Sequence, residues 1–332
     1  MTAILDIGEF SLSFRTATGT AHVLDRIDLA VRPGEIVGLV GESGCGKTTI
    51  IRAILGTLPE RTAQIGGGRI LLDGVDMIGG GKAAQSMRGR DVTFVPQDPF
   101  ASFNPLFRIG TQIRDLMRWR APGPNGSRSG RSPQIVEAAV SAMLDAVQLP
   151  PAILAKYPHE LSGGQRQRVL IAMALLPQPR IIIADEPTTA LDVILQAQIL
   201  SLLRRLAVER GVSVLFATHD LAAAWEICDR ITVMYAGQIV EVGPRETFFN
   251  KPHHPYTRML LASLPEPGRD PRVIPGGVPN PLHPPEGCRF NPRCPNVSAT
   301  CAETRPKLST AGSDHLVACH HPGAFDVRIA HA

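Results

Sequence analysis

The densest chemistry in the chain lies in Gly41-Glu42-Ser43-Gly44-Cys45-Gly46-Lys47-Thr48-Thr49. This run fits the pattern GxxxxGK[ST], in which glycines let the backbone curl so that successive N–H groups face a polyphosphate. Lys47 is placed to reach the terminal phosphates, Thr48 to ligate Mg²⁺, and Thr49 to hydrogen-bond a phosphate oxygen. Ser43 and Cys45 fill the variable places of the loop. A ligand-free Gly-rich turn is the alternative. It is set aside because the complete pattern lies between a predicted strand and a predicted helix, whose positive dipole end faces the same place. The expected ligand is a nucleoside triphosphate.

Two carboxylates form the next candidate pair. Ile181-Ile182-Ile183-Ala184 is a continuous apolar run, as expected at the centre of a parallel sheet, and it ends at Asp185-Glu186. Acidic residues there face the crevice where open α/β sheets bind ligands. Asp185 would hold Mg²⁺ through water, and Glu186 would orient and deprotonate the water that attacks the γ-phosphate. Gln97 and His219 also follow apolar strand-like runs. Gln97 could hold Mg²⁺ or the attacking water, or be merely solvated. His219 could contact the γ-phosphate, or have a bland structural role. Ser162-Gly163-Gly164-Gln165 opens an apolar helix: Ser162 suits an N-cap, and the glycines admit a phosphate close to the helix start. Plain capping is the alternative. Phe14 could stack on a base or close a strand-end core; His22 is a weaker stacking candidate.

These residues need elements to position them. Strands are predicted at Ile4–Phe14, Val23–Val31, Glu35–Val40, Arg69–Leu72, Asp91–Val95 and Val212–Ala217, with a hairpin joining Ile231–Tyr235 to Gln238–Val242. Helices are predicted over Thr48–Leu58, Ile109–Trp119, Pro133–Val147, from Ser162 to about Leu176, and from Ala190-Leu191-Asp192 to about Arg210. Gly66-Gly67-Gly68 reads as punctuation, and the polar run Ala121–Arg131 as a mobile surface loop. The whole is an α/β chain with a helical insert.

Composition narrows the class. With 332 residues, 44% hydrophobic and 19% charged, the chain can build one large core plus an appendage. A formal net charge of +4, without clustered basic residues, gives no footing for nucleic acid. No run approaches the roughly 20 apolar residues of a membrane helix. Met1–Phe10 lacks the features of an export signal, so a cytosolic chain is expected.

In order and spacing, the phosphate loop, Gln97, Leu161–Gln165, Ile181–Glu186, Ala190–Asp192 and His219 closely resemble the nucleotide-binding subunit of ATP-binding-cassette (ABC) transporters, over about Ile4–Pro244. The resemblance implies a RecA-like P-loop ATPase core with an antiparallel β subdomain and a helical subdomain (about 98–175), all within 1–250. It also implies two subunits facing head to tail around two ATPs. Ser162, Gly163, Gly164, Gln165 and Asp192 would then serve the nucleotide held by the partner's phosphate loop. Gln97-Asp98-Pro99-Phe100, Asn104-Pro105, Tyr157-Pro158-His159-Glu160 and Lys251–Thr257 resemble the oligopeptide/dipeptide importers. In those importers the subunit pairs with a homologous ATPase on two permeases, fed by a substrate-binding protein, at the cytoplasmic face of the bacterial inner membrane. Another cargo (nickel, a glycan or an opine-like solute) stays open, as does a soluble ABC ATPase outside transport.

Cys288, Cys294, Cys301 and Cys319 lie in a Pro-rich, weakly periodic tail, treated as a separate extension (251–332), that cannot build much core alone. A cytosolic chain disfavours disulfides. The spacing lacks both the close cysteine pairs of structural zinc and the ferredoxin run, which leaves a metal site of unknown type or unliganded thiols. The resemblance implies a [4Fe–4S] cluster, with Zn²⁺ as the alternative. Cys45 and Cys228 stand outside this set.

Overall fold

The computed structural model describes residues 2–79, 81–120, 133–189, 191–264 and 274–323. The predicted loop at 121–131 and Ala190 lie outside the described residues. In chain order, β1 (Leu5–Thr16), β2 (Gly19–Val31) and β3 (Ile36–Val40) lead into α1 (Lys47–Leu55). Then come β4 (Ala63–Leu72), β5 (Val75–Asp76), α2 (Lys82–Met87) and β6 (Val92–Val95). The helices α3 (Ile109–Arg120), α4 (Pro133–Ala146) and α5 (Gly163–Leu175) precede β7 (Ile181–Asp185), α6 (Val193–Arg210), β8 (Ser213–Thr218) and α7 (Leu221–Ile227). The chain continues through β9 (Arg230–Tyr235), β10 (Gln238–Pro244), α8 (Arg245–Asn250), α9 (Pro255–Ala262), α10 (Ala299–Glu303), β11 (Ser309–Gly312) and β12 (His315–Val317).

Two compact units share these elements. One comprises Met1–Ile4, Val31–Ile36 and Asp73–Ala217; the other comprises Leu5–Ala30, Val37–Leu72 and Thr218–Ala332.

In the first unit β6, β7 and β8 pair in parallel, with Val92 opposite Ile181 and Ile181 opposite Ser213. Every residue of β7 and β8 is buried, which is why Ile181–Ala184 and Val214–Ala217 read as continuous apolar runs rather than alternating ones. The predicted helical insert is present as α3 and α4. Arg168 of α5 donates to the Val147 carbonyl at 2.9 Å, closing the end of that insert.

In the second unit β3 pairs in parallel with β9, and β9 turns back antiparallel on β10. A separate antiparallel layer sets β1 against β4, with Leu5 opposite Leu72 and Phe14 opposite Ala63. Here the sequence reading needs correcting. Gly66-Gly67-Gly68 lies inside β4 as an irregularity rather than before it. Gly68 has φ +86°, and a Cβ there would fall 2.5 Å from the Glu9 backbone, so the two strands approach too closely for a side chain. Likewise α1 stops at Leu55, three residues short of the prediction, because Gly56 at φ 64° closes it with a left-handed cap.

The C-terminal tail behaves as its weak periodicity predicts. It builds no core of its own but completes that of the second unit. β12 pairs with β10, Glu241 lying opposite Val317. Tyr256 and Phe290 are fully buried against Tyr235, with ring centroids 4.5 and 5.1 Å away. The buried Glu241 carboxylate accepts from His315 Nε2 (2.7 Å) and from the N–H groups of His253 (2.6 Å) and His254 (2.9 Å). Aromatic pairs and this satisfied carboxylate replace the periodic apolar pattern that the tail lacks.

Candidate nucleotide site

In the second unit the phosphate loop follows β3 and is fixed from beneath. A Cβ at Gly41 would lie 2.1 Å from the Met234 carbonyl, and one at Gly46 would lie 2.8 Å from the Met234 methyl. The loop thus sits directly on β9, and only glycine allows that approach. Gly237 N–H donates to the Cys45 carbonyl at 2.8 Å, tying the loop to the β9–β10 turn. Lys47 is 5% exposed, and its Nζ donates to the carbonyls of Gly41 (2.7 Å) and Glu42 (3.3 Å).

At the start of α1 the Gly46 cap supplies no side chain, and the first turn carries no acidic residue. The helix therefore presents bare N–H donors, as an anion requires. Ser43, Gly44 and Thr48 are exposed on this rim, while Thr49 is half-buried. Cys45 behaves differently. Its side chain is buried under the loop, and burial pushes the thiol above its ordinary range, in keeping with a packing role.

Phe14 is half-buried on β1, a position compatible with either of its readings. His22 is held at its backbone, donating to Pro281 O at 2.7 Å and accepting from Arg289 at 3.3 Å. His219 is exposed where β8 gives way to Asp220, the N-cap of α7.

In the first unit the structure brings together Gln97, just past β6, and Glu186, just past the neighbouring strand β7. Gln97 Nε2 donates to Glu186 Oε2 at 3.1 Å, and Thr189 Oγ1 reaches the same oxygen at 3.3 Å. Glu186 has φ 46°, a left-handed conformation uncommon outside glycine, and its N–H is anchored to Ala217 O on β8 at 2.8 Å. Asp185, the last residue of β7, is buried. Thr48 in the second unit, and Gln97 and Asp185 in the first, each carry side-chain oxygen, the ligand type that Mg²⁺ takes.

Ser162 caps α5 as its position predicts. Its Oγ accepts from Gln165 N–H at 3.2 Å while Gln165 Oε1 accepts from Ser162 N–H at 3.1 Å, a reciprocal capping box. The hydroxyl proton is still available to donate outward. A Cβ at Gly163 or Gly164 would meet only leucine methyls, Leu191 at 3.5 Å and Leu195 at 3.4 Å, which is ordinary contact. The subunit's own packing therefore does not require glycine at either place. Asp192 caps α6, accepting from Leu195 N–H at 3.0 Å.

Sequence reasoning passed over Glu42 and Arg293. The Arg293 guanidinium, 5% exposed at its side chain, grips the Glu42 carboxylate with two donors at 2.8 and 3.2 Å. No local signal marks the pair: Arg293 is one of several arginines in the tail, and its partner lies 251 positions away.

Cys288, Cys294, Cys301 and Cys319 line one pocket beside His254 and Phe290, and none is in a disulfide. Burial pushes the thiols of Cys288 and Cys319 up to about 11. Sulfur donors suit a cluster or Zn²⁺, but among the described residues no three His, Cys, Asp or Glu groups come together as a metal ion requires. The expected metal centre is therefore not present as a formed ligand set. The thiols share a pocket without converging.

The ABC transporter family profile matches residues 24–189, and the profile described as "Oligopeptide/dipeptide transporter, C-terminal region" matches residues 240–301. The "Dipeptide transport ATP-binding protein DppD" of Bacillus subtilis is 38% identical over 96% of this chain and 95% of its own length. The "Probable D,D-dipeptide transport ATP-binding protein DdpD" of Escherichia coli is 41% identical over 96% of this chain and 97% of its own. Among solved structures, the ATP-binding cassette MJ0796, a dimer in a post-hydrolysis state bound to ADP and Pi, superposes with a TM-score of 0.63 at 25% identity, covering 73% of this chain and 98% of that one. With the RecA-like P-loop core in place, the chain belongs to the ABC transporter family and is one of its ATP-hydrolysing subunits.

Proposed function

We propose that the chain energises the import of di- or oligopeptides, working peripherally at the cytoplasmic face of the bacterial inner membrane. It would pair with a second homologous ATPase on two permeases fed by a substrate-binding protein. The observation that carries the cargo assignment is the C-terminal region, which is integral to the phosphate-loop unit and matches the oligopeptide/dipeptide transporter profile. Relatives named for dipeptide transport at about 40% identity support the same reading.

The mechanism assigns each residue a task. The loop N–H groups and Lys47 bind the phosphates of ATP, and Thr49 holds one of their oxygens. Thr48, Asp185 and Gln97 are the residues that would hold Mg²⁺, whose charge offsets that of the phosphates. Glu186 accepts the proton of the attacking water, and the hydrogen bond from Gln97 together with the anchored left-handed backbone aims its carboxylate. His219 contacts the γ-phosphate, and Phe14 stacks on the base. Ser162 and the N–H groups of Gly163 and Gly164 meet the γ-phosphate held by the other subunit, with Gln165 and Asp192 alongside. This explains glycines that the subunit's own packing does not demand. ATP then joins the two subunits, and hydrolysis releases them, a population shift set by differential affinity.

The cysteine pocket carries a separate reading: a [4Fe–4S] cluster, or Zn²⁺ in its place. Its support is donor chemistry and the shared pocket. Iron and sulfide in near-equal amounts in anaerobically purified protein would uphold the cluster. Zinc in their place would uphold the alternative, and neither metal would end both.

The deciding experiment for function is purification from membranes under mild detergent, identification of the attached permeases and binding protein, and peptide uptake by the reconstituted assembly. Permeases and a binding protein specific for nickel or a glycan would overturn the cargo assignment.

A further inference from the structure

We infer that Arg293, in the C-terminal extension, is a positioning residue for the phosphate loop and sets the affinity for ATP. The inference rests on the nucleotide-binding reading above and adds to it a residue outside the loop.

Glu42 is the second residue of the loop. Its backbone is part of the cradle: its carbonyl accepts from Lys47 Nζ at 3.3 Å and from Cys45 N–H at 3.3 Å. Its N–H donates to the buried Tyr256 hydroxyl at 3.0 Å. Its carboxylate takes both terminal nitrogens of Arg293, at 2.8 and 3.2 Å. A bidentate guanidinium–carboxylate pair fixes orientation as well as distance.

Arg293 is itself held rigid. Nε donates to Pro275 O at 2.9 Å, Nη2 to Ile274 O at 3.4 Å, and Nη1 to the Tyr235 hydroxyl at 3.2 Å. It ends the short helical turn Asn291–Arg293. Glu42, one of the two loop residues whose carbonyls hold Lys47, is thus gripped on its backbone by Tyr256 and on its side chain by Arg293, both from the extension. With Arg293 removed, the Glu42 carboxylate, 25% exposed at its side chain, loses the fork that fixes it and can turn further toward water, which loosens the loop backbone it belongs to. A surface ion pair would not have this leverage, because water would replace the lost partner.

The test uses the full chain in its assembled transporter and measures ATP hydrolysis and binding of ATP. Arg293→Ala is expected to raise KM for ATP roughly tenfold while kcat falls less than threefold. Arg293→Lys, which keeps the charge but loses the fork, should recover part of that loss. Glu42→Gln approaches the pair from the loop side and serves if Arg293→Ala does not fold; it should raise KM in the same direction. The double variant should cost no more than the larger single change. Arg305→Ala is the control, because it loosens the extension at Asp25 and Arg26 without touching the loop. It is expected to lower Tm and leave KM in place. Unchanged KM in a folded Arg293→Ala or Glu42→Gln variant would overturn the inference, and so would an Arg305→Ala shift as large as that of Arg293→Ala. Failure of the wild-type chain to bind ATP would instead overturn the nucleotide reading on which it rests.

Discussion

Gln97 and Glu186 stand on adjacent parallel strand ends, and the Gln97 amide reaches the Glu186 carboxylate across 3.1 Å. The amide nitrogen donates, so the contact aims the carboxylate through one of its two oxygens. A base held this way needs its charge, not its shape. Glu186→Gln preserves the shape and removes the charge. It is therefore expected to bind ATP normally and hydrolyse it at least roughly a hundredfold more slowly. Single-turnover hydrolysis beside equilibrium ATP binding checks this; turnover within a few-fold of the wild type would remove Glu186 from the role of base.

Lys47 carries a second expectation. Its ammonium is buried and already directed by the Gly41 and Glu42 carbonyls, so little order is lost when phosphate arrives. Lys47→Ala removes a charge-assisted contact of about 2–3 kcal/mol and should weaken ATP binding by roughly thirty- to a hundred-and-fiftyfold. Lys47→Arg should do no better, because a planar guanidinium does not fit the space set by those two carbonyls. Calorimetric titration with ATP measures both; near-native affinity in either variant contradicts the assignment.

Much of this machinery is legible in the sequence, and the reasons are local. The phosphate loop announces itself because glycine is forced at Gly41 and Gly46 by contacts that Met234 makes from beneath. β7 announces itself because burial on both faces leaves no polar residue until Asp185. The tail was less legible because its stability comes from pairings distant in sequence. Arg293 with Glu42, and Glu241 with His315, join residues 251 and 74 positions apart, and no periodicity encodes such a match. The cysteines show the opposite failure: their clustering in sequence reads as a metal site, and the four do line one pocket, but among the described residues no three of them form a ligand set.

Gly164 separates a structural from an intermolecular role. An added Cβ meets only Leu195 methyls at 3.4 Å and longer, and alanine is better than glycine in a helix by about 1 kcal/mol. Gly164→Ala should leave the isolated subunit's Tm unchanged or slightly raised. If this helix start meets a nucleotide on a facing subunit, the same variant should lose ATP-dependent pairing, most clearly when combined with Glu186→Gln. Size-exclusion chromatography with and without ATP reads the outcome; pairing that survives the substitution would deny the helix start its proposed contact.

Asp25 gives a prediction about acid stability. Its carboxylate joins strand β2 to the extension, accepting from Gln238 Nε2 at 2.7 Å and from Arg305 at 3.0 Å, with Arg289 at 3.8 Å. Burial alone would raise its pKa, but the Gln238 hydrogen bond and the Arg305, Arg289 and Arg26 guanidiniums bring it below its ordinary value of 3.8. A carboxyl that is more acidic in the folded state contributes its full stabilisation above pH 3.8 and loses it as pH falls through the lower folded value. Asp25→Asn removes that contribution at every pH and leaves the nearly buried Arg289 without its counter-charge, at a cost of about 2 kcal/mol at neutral pH. Denaturant unfolding of the two proteins should therefore differ most near pH 7 and draw together below about pH 4. A difference that stays constant across that range would mean Asp25 acts through packing rather than through its charge.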